Sequence, residues 1–197
     1  MASSKKEPWP GHLAEPFYKV LGYLHLGDRE RWNNLTLVAC ASKKVSGNEP
    51  IRAKDLYTSP LFKMAREYAE HDDQAWYILS AKYGLLHPDS VVTPYNMALT
   101  DMTRADQMEW GKAVREQMRE TIFEEDFMAY YTGPITVLAG ASYRQELVPF
   151  LECMVRDGSV SVPMEGLGIG KQLQWLKREN AQRNSSGLFD LDHELDL

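Results

Sequence analysis

Three short apolar runs constrain this chain more than any other feature. They are residues 35–40 (LTLVAC), 76–81 (WYILSA) and 135–139 (ITVLA). Each is nearly continuous and bounded by turn-forming or polar residues, the pattern of a strand buried on both faces. Such a strand needs cover above and below, which helices between successive parallel strands supply. Helical patterns do lie between the runs. The expected fold is therefore α/β, one domain with a mainly parallel four-stranded sheet flanked by helices. Residues 160–163 (VSVP) are the weaker fourth strand.

The helices follow from spacing and caps. Ser59-Pro60 opens a helix through about residue 70, since proline suits the first turn. Residues 103–123 form the longest helix, with Trp110, Val114, Met118 and Ile122 recurring every four positions. Ser142 is the expected cap of a helix over 143–154. Leu173, Trp175 and Leu176 pack the last helix, over 168–180. Residues 82–101 carry Gly84, Pro88, Pro94 and Asn96 and read as a long functional loop. Residues 1–34 are expected as an N-terminal helical extension and 35–183 as the α/β domain. Residues 184–197 follow as a flexible acidic tail beginning at Asn184-Ser185-Ser186-Gly187.

Composition narrows the class. With 44% hydrophobic and 25% charged residues among 197, the chain is globular rather than disordered or fibrous. It has no apolar run long enough for a membrane helix. Its first residues, MASSKKEPWPG, lack a secretory signal's apolar stretch. Two cysteines, Cys40 and Cys153, make no disulfide framework, and no Cys/His set has zinc spacing. The expectation is a reduced, cytoplasmic monomer without metal or cofactor. Net charge of −6 first argues against nucleic acid as partner. Four of the acids, however, are Asp190, Asp192, Glu194 and Asp196. Without them 24 acidic residues face 22 basic ones, so the body is close to neutral and basic patches are possible.

Ligands of parallel α/β sheets bind beyond the carboxyl ends of the strands. That rule selects Cys40, Ser42, Lys43 and Lys44 after the first strand. It selects Ser80, Lys82, Tyr83 and Gly84 after the second, leading on to Tyr95 and Asn96. After the third it selects Ser142, Tyr143 and Arg144. Hydroxyls, cations and aromatic rings together suit a ligand bearing phosphate and a base. The plainer reading makes Lys43 and Lys44 a solvated loop, Tyr83 and Tyr95 packing residues, and Cys40 a core thiol. The stretch at 166–171 (GLGIGK) is not a P-loop, because Glu165 stands at the first glycine position and Gln172 at the hydroxyl position. It reads as a strand-to-helix turn with Lys171 near phosphate. Asp55 and Asn96 are candidates for acid–base work and base reading, with a turn role the alternative for Asp55.

The segments LVACASKK, AKDLYTSPLFKMAREYAE and WYILSAKYGLLHPDSVVTPYNMAL resemble an uncharacterised bacterial and phage domain family. The Leu-Ser-x-x-Tyr-Gly-Leu-Leu and Pro-Tyr elements also resemble the YaaA-type peroxide stress proteins. The resemblance covers about residues 35–180. That family commonly has Asp after Pro-Tyr, where this chain has Asn96. Both families look like distant relatives of the uracil-DNA glycosylase fold and of a domain attached to archaeal tRNA-guanine transglycosylases. The resemblance also points toward anti-phage glycosylases that remove glucosylated hydroxymethylcytosine.

What the resemblance implies is a DNA glycosylase that flips out and excises a modified base of phage DNA, leaving an abasic site. Asp55 and Tyr57 match the glycosylase segment after the first strand. Ser80 and Lys82 match the middle strand end. Asp55, Asn96 and Lys82 would carry catalysis, and Tyr57, Tyr83 or Tyr95 would stack on the base. Lys43, Lys44, Arg144 and Lys171 would hold phosphates. The competing expectations are a non-catalytic DNA-binding stress protein of the YaaA type and an N-glycosidase of free modified nucleotides.

Overall fold

The computed structural model describes residues 34–71, 75–121, 133–155 and 159–189. Residues 1–33 of the N-terminal extension, Ile122 and residues 190–197 of the tail lie outside them. Strand β1 (Leu35–Ala39) is flanked by β3 (Ala75–Ser80) and β6 (Ile135–Leu138), both parallel to it. Leu37 lies opposite Tyr77 and Val137, and Val38 opposite Ile78 and Leu138. The two rows point to opposite faces, because successive strand side chains alternate.

Each row has its own helical cover. Leu37, Tyr77 and Val137 pack with Trp110, Val114 and Met118 of α3 (Arg104–Thr121) and Leu147 and Leu151 of α4 (Ala141–Met154). Val38, Ile78 and Leu138 pack with Phe62, Ala65 and Ala69 of α2 (Pro60–Glu70) and Leu176 of α5 (Ile169–Phe189). The result is a three-layer α/β/α sandwich. Its helix starts follow cap chemistry. The Ser59 hydroxyl accepts from Phe62 N–H at 3.1 Å ahead of Pro60. Thr103 and Asp106 bond reciprocally at the start of α3.

The sheet has five strands in the order β4-β3-β1-β6-β7, where β4 is Gly84–Leu86 and β7 (Val160–Ser161) is parallel to β6. This corrects the expected four-stranded arrangement. The added strand β4 runs antiparallel to β3. Gly84 has φ +72°, a left-handed conformation that turns the chain back immediately after β3. Three residues are too few to show a period, so glycine and proline hid the strand in an apparent loop. That loop also contains β5 (Val91–Val92), antiparallel to β2 (Ile51–Arg52), and a 3-10 turn at Leu99–Asp101. A short helix α1 (Ala53–Leu56) precedes α2.

Two further expectations are corrected. Ser142 does not cap α4; Gly140 occupies the cap position and Ser142 lies within the first turn. α5 does not end near residue 180 but continues through 184–187 to Phe189. There the Ser185 hydroxyl donates to the Ala181 carbonyl at 2.8 Å, four residues back, instead of breaking the helix. Along α5, Asn180 Nδ2 donates to the Met64 carbonyl at 3.0 Å and Trp175 meets Tyr68. No helix among the described residues is long and apolar enough to cross a membrane.

Two predictions follow from the packing. A Cβ on Gly111 in α3 would come within 2.6 Å of Glu146 Cβ in α4. Alanine ordinarily favours an exposed helix interior over glycine by about 1 kcal/mol. Gly111→Ala should nevertheless destabilise the fold by about 1–3 kcal/mol, read from its urea midpoint. The second concerns His87, whose ring stacks edge-on against Tyr77 and whose Nδ1 accepts from Asp89 N–H. Burial pushes its pKa below 6.5; Asp89 opposes this and Lys54 adds to it. The unfolded chain thus takes up the proton first on acidification. Stability should fall as pH drops from 6.5 toward the depressed folded value, and His87→Gln should flatten that slope in urea titrations at stepped pH.

Candidate functional site

From β1 the chain passes to β3 on one side, and from β6 to β7 on the other. Loops leaving β1 and β6 therefore diverge at their carboxyl ends, where sheets of this kind hold their ligands. Cys40 follows β1 and Tyr143 lies in α4 just after β6. The Cys40 thiol and Tyr143 hydroxyl meet across this junction at 3.2 Å.

The segment after β3 joins them. Tyr95 Oη is 2.8 Å from Ser80 Oγ and 3.0 Å from Tyr57 Oη. Ser80 Oγ also accepts from Tyr83 N–H at 3.1 Å, and Tyr83 Oη donates to the Thr93 carbonyl at 3.0 Å. Tyr83 and Tyr95 stand edge to face, 5.4 Å apart. The result is a hydroxyl chain, Tyr57–Tyr95–Ser80, behind an aromatic wall. Two lysines border it. Lys44 Nζ sits 4.2 Å from the Tyr95 ring centre and 5.7 Å from that of Tyr57. Lys82 Nζ is 5.0 Å from the Tyr83 ring centre and 5.8 Å from that of Tyr95. All three selected strand ends thus converge.

Local structure explains the placement. Lys44 pairs with Tyr57 in an isolated antiparallel bridge. Val45 N–H donates to Leu56 O at 2.9 Å, and Thr58 N–H to Lys43 O at 3.0 Å. From the other side, the Trp110 indole N–H donates to the Ser80 carbonyl at 2.9 Å. Gln117 accepts from Leu85 N–H at 2.7 Å and donates to Tyr83 O at 3.3 Å. One face of α3 therefore holds the 80–85 turn.

Protonation states follow from burial. Burial, with the neighbouring Cys40 next, pushes the Tyr95 and Tyr143 phenols well up, and Tyr57 likewise. These hydroxyls remain protonated at neutral pH, so they exchange hydrogen bonds and do not act as bases. Burial pushes the Lys44 ammonium down, and Cys40 opposes it. No carboxylate among the described residues pairs with Lys44, Lys82 or the hydroxyl chain. No group of His, Cys, Asp and Glu there is suited to holding a metal ion.

The remaining sequence candidates lie differently. Ser42 and Lys43 are exposed, and Asn96 is exposed next to Tyr95. Asp55 is committed to Arg66 at 2.7 Å and Arg52 at 3.3 Å, rather than to the tyrosines. Arg144 pairs with Glu165 of the turn before α5, and its Nε is buried without a hydrogen-bond partner. Lys171 is exposed on the first turn of α5. Sequence reasoning missed Trp110 and Gln117 as supports. Their seven-residue separation puts them on one helix face, and a glutamine on an otherwise apolar face was the available signal.

A family model described as "Family of unknown function (DUF6884)" matches residues 35–178. The "Uncharacterized protein YfjM" of Bacillus subtilis (strain 168) is 30% identical over 149 residues, covering 73% of this chain and 93% of that protein. The span of the family model, residues 35–178, contains every residue of the converged site.

Tyr95→Phe tests the hydroxyl chain. It keeps the ring but leaves Tyr57 Oη, whose residue is 2% exposed, without its partner. The expected loss is about 1–3 kcal/mol in chemical denaturation.

Proposed function

We propose, on the premise that the chain belongs to the DUF6884 family of unknown function, that it is a DNA glycosylase acting on a modified base. The observation that carries this reading is the meeting of three strand ends in one site lined by tyrosines and lysines. A base removed from the duplex stack needs a planar apolar wall, and Tyr83 and Tyr95 offer one. Lys43 and Lys82 suit flanking phosphates or the negative charge of a departing base. Asn96, exposed beside Tyr95, can present its amide to a base edge. Arg52 and Arg66 hold the Asp55 carboxylate, so its role in this reading is to position α1 and Tyr57. A modified base of phage DNA, the YaaA kinship and the uracil-DNA glycosylase likeness all rest on the sequence resemblance.

The engagement of Asp55 by Arg52 and Arg66 favours one competitor, a non-catalytic DNA-binding protein. Both readings are separated by incubating the protein with duplexes carrying unmodified, hydroxymethylated or glucosylated cytosine, followed by alkali. Strand breaks at the modified position are expected, with Tyr83→Ala weakening the reaction by about 1–3 kcal/mol through lost stacking. Salt-sensitive binding with no breaks on any duplex would replace glycosylase with binding protein.

A further inference from the structure

The site offers stacking surfaces and cations, but its candidate carboxylate is committed elsewhere. Asp55 sits between two guanidinium groups. An attacking group has to come from what remains. The phenols are held protonated by burial, and Ser80 is fully buried within the hydroxyl chain.

Lys44 shares with Lys82 a place over two rings without a carboxylate among the described residues, and differs from it in the bridge to Tyr57 and in lying closer to Tyr95, at 4.2 against 5.8 Å from the ring centre. Arg144 is paired with Glu165 and Lys54 with Asp89, while Lys43 and Lys171 are exposed. Lys44 is half-buried over two aromatic rings. Its Nζ reaches two backbone carbonyls, those of Ser42 and Met97, each at 3.5 Å, the long limit of a hydrogen bond. No carboxylate among the described residues pairs with it. Its backbone is fixed by the bridge to Tyr57. Ring faces and distant carbonyls compensate an ammonium less well than a counterion does.

We infer that Lys44 is a covalent nucleophile whose amine attacks the sugar carbon C1′ of the bound nucleotide. This inference rests on the glycosylase reading of the same site. Lysines of this kind, desolvated and without a counterion, are the ones that form Schiff bases. The lowering of the Lys44 pKa by burial agrees with the geometry, since only the free amine attacks.

The step balances without an added oxidant or reductant. The neutral Nζ bonds to C1′, the C1′–N glycosidic bond breaks, and its electron pair leaves with the base. One Nζ proton passes to the base. The Nζ lone pair then opens the C1′–O4′ bond, O4′ takes a proton from solvent, and an iminium joins Nζ to C1′. Water adds to C1′, returns the lysine, and leaves the aldehyde of an abasic site.

Borohydride reduces such an iminium to a stable secondary amine. The full chain is mixed with borohydride and two probes, a duplex holding one aldehydic abasic site and the modified-cytosine duplexes. A covalent protein–DNA adduct is expected, mapped to residue 44 by mass spectrometry. Lys44→Arg should lose it, keeping the positive charge, with folding checked by its thermal transition. An adduct at Lys43 or Lys82, or one undiminished in Lys44→Arg, would overturn the inference. Base release without any adduct would overturn it while leaving the glycosylase reading intact. An adduct at Lys44 on the abasic duplex without base release from any modified duplex would support the amine's reactivity and remove the glycosylase reading instead.

Discussion

The structure depends on the burial of β1 from both sides. Leu35 and Leu37 face one helical layer and Val38 the other, each at most 1% exposed. A one-residue slip of β1 would exchange these rows and misplace every apolar contact. The register with β3 and β6 is thus fixed by both layers at once. The strand ends of β1, β3 and β6 consequently stop at defined places, and the site inherits their rigidity.

What those ends carry is a layer of protonated hydroxyls rather than a set of acids. Tyr57, Tyr95 and Ser80 satisfy one another inside the molecule, which keeps their burial tolerable. They also fix the ring orientations that form the wall beside Lys44 and Lys82. α3 contributes without entering the site. Its Trp110 and Gln117 bond to backbone groups of residues 80, 83 and 85, so a core helix sets the shape of a functional turn.

The central architecture was legible because apolar runs and parallel strands are linked by simple physics. Continuous burial of 35–40, 76–81 and 135–139 demanded helical cover, and the strand-end rule then selected Cys40, Lys44, Ser80, Tyr83 and Tyr143. Small antiparallel pieces were hidden. β4 consists of three residues after a turn whose positive φ only the fold reveals, and β2 and β5 have two each. Caps were read half correctly: Ser59 acts as expected, whereas Gly140 displaces Ser142 because the helix begins two residues earlier. Asp55 looked available in sequence because its partner Arg66 lies eleven residues on, on another helix. Side-chain pairing across elements has no local signature.

The bridge between Lys44 and Tyr57 has a consequence for how the protein can vary. Two backbone hydrogen bonds, Val45 to Leu56 and Thr58 to Lys43, close the base of the intervening segment. Residues 46–50 beyond that clasp are exposed. Lengthening them costs only loop entropy, about 0.6 kcal/mol for each doubling. The clasp therefore insulates the site from its own loop. Relatives can add or lose residues at 46–50, and so change what reaches the site from outside, while the lysine and tyrosine keep their places.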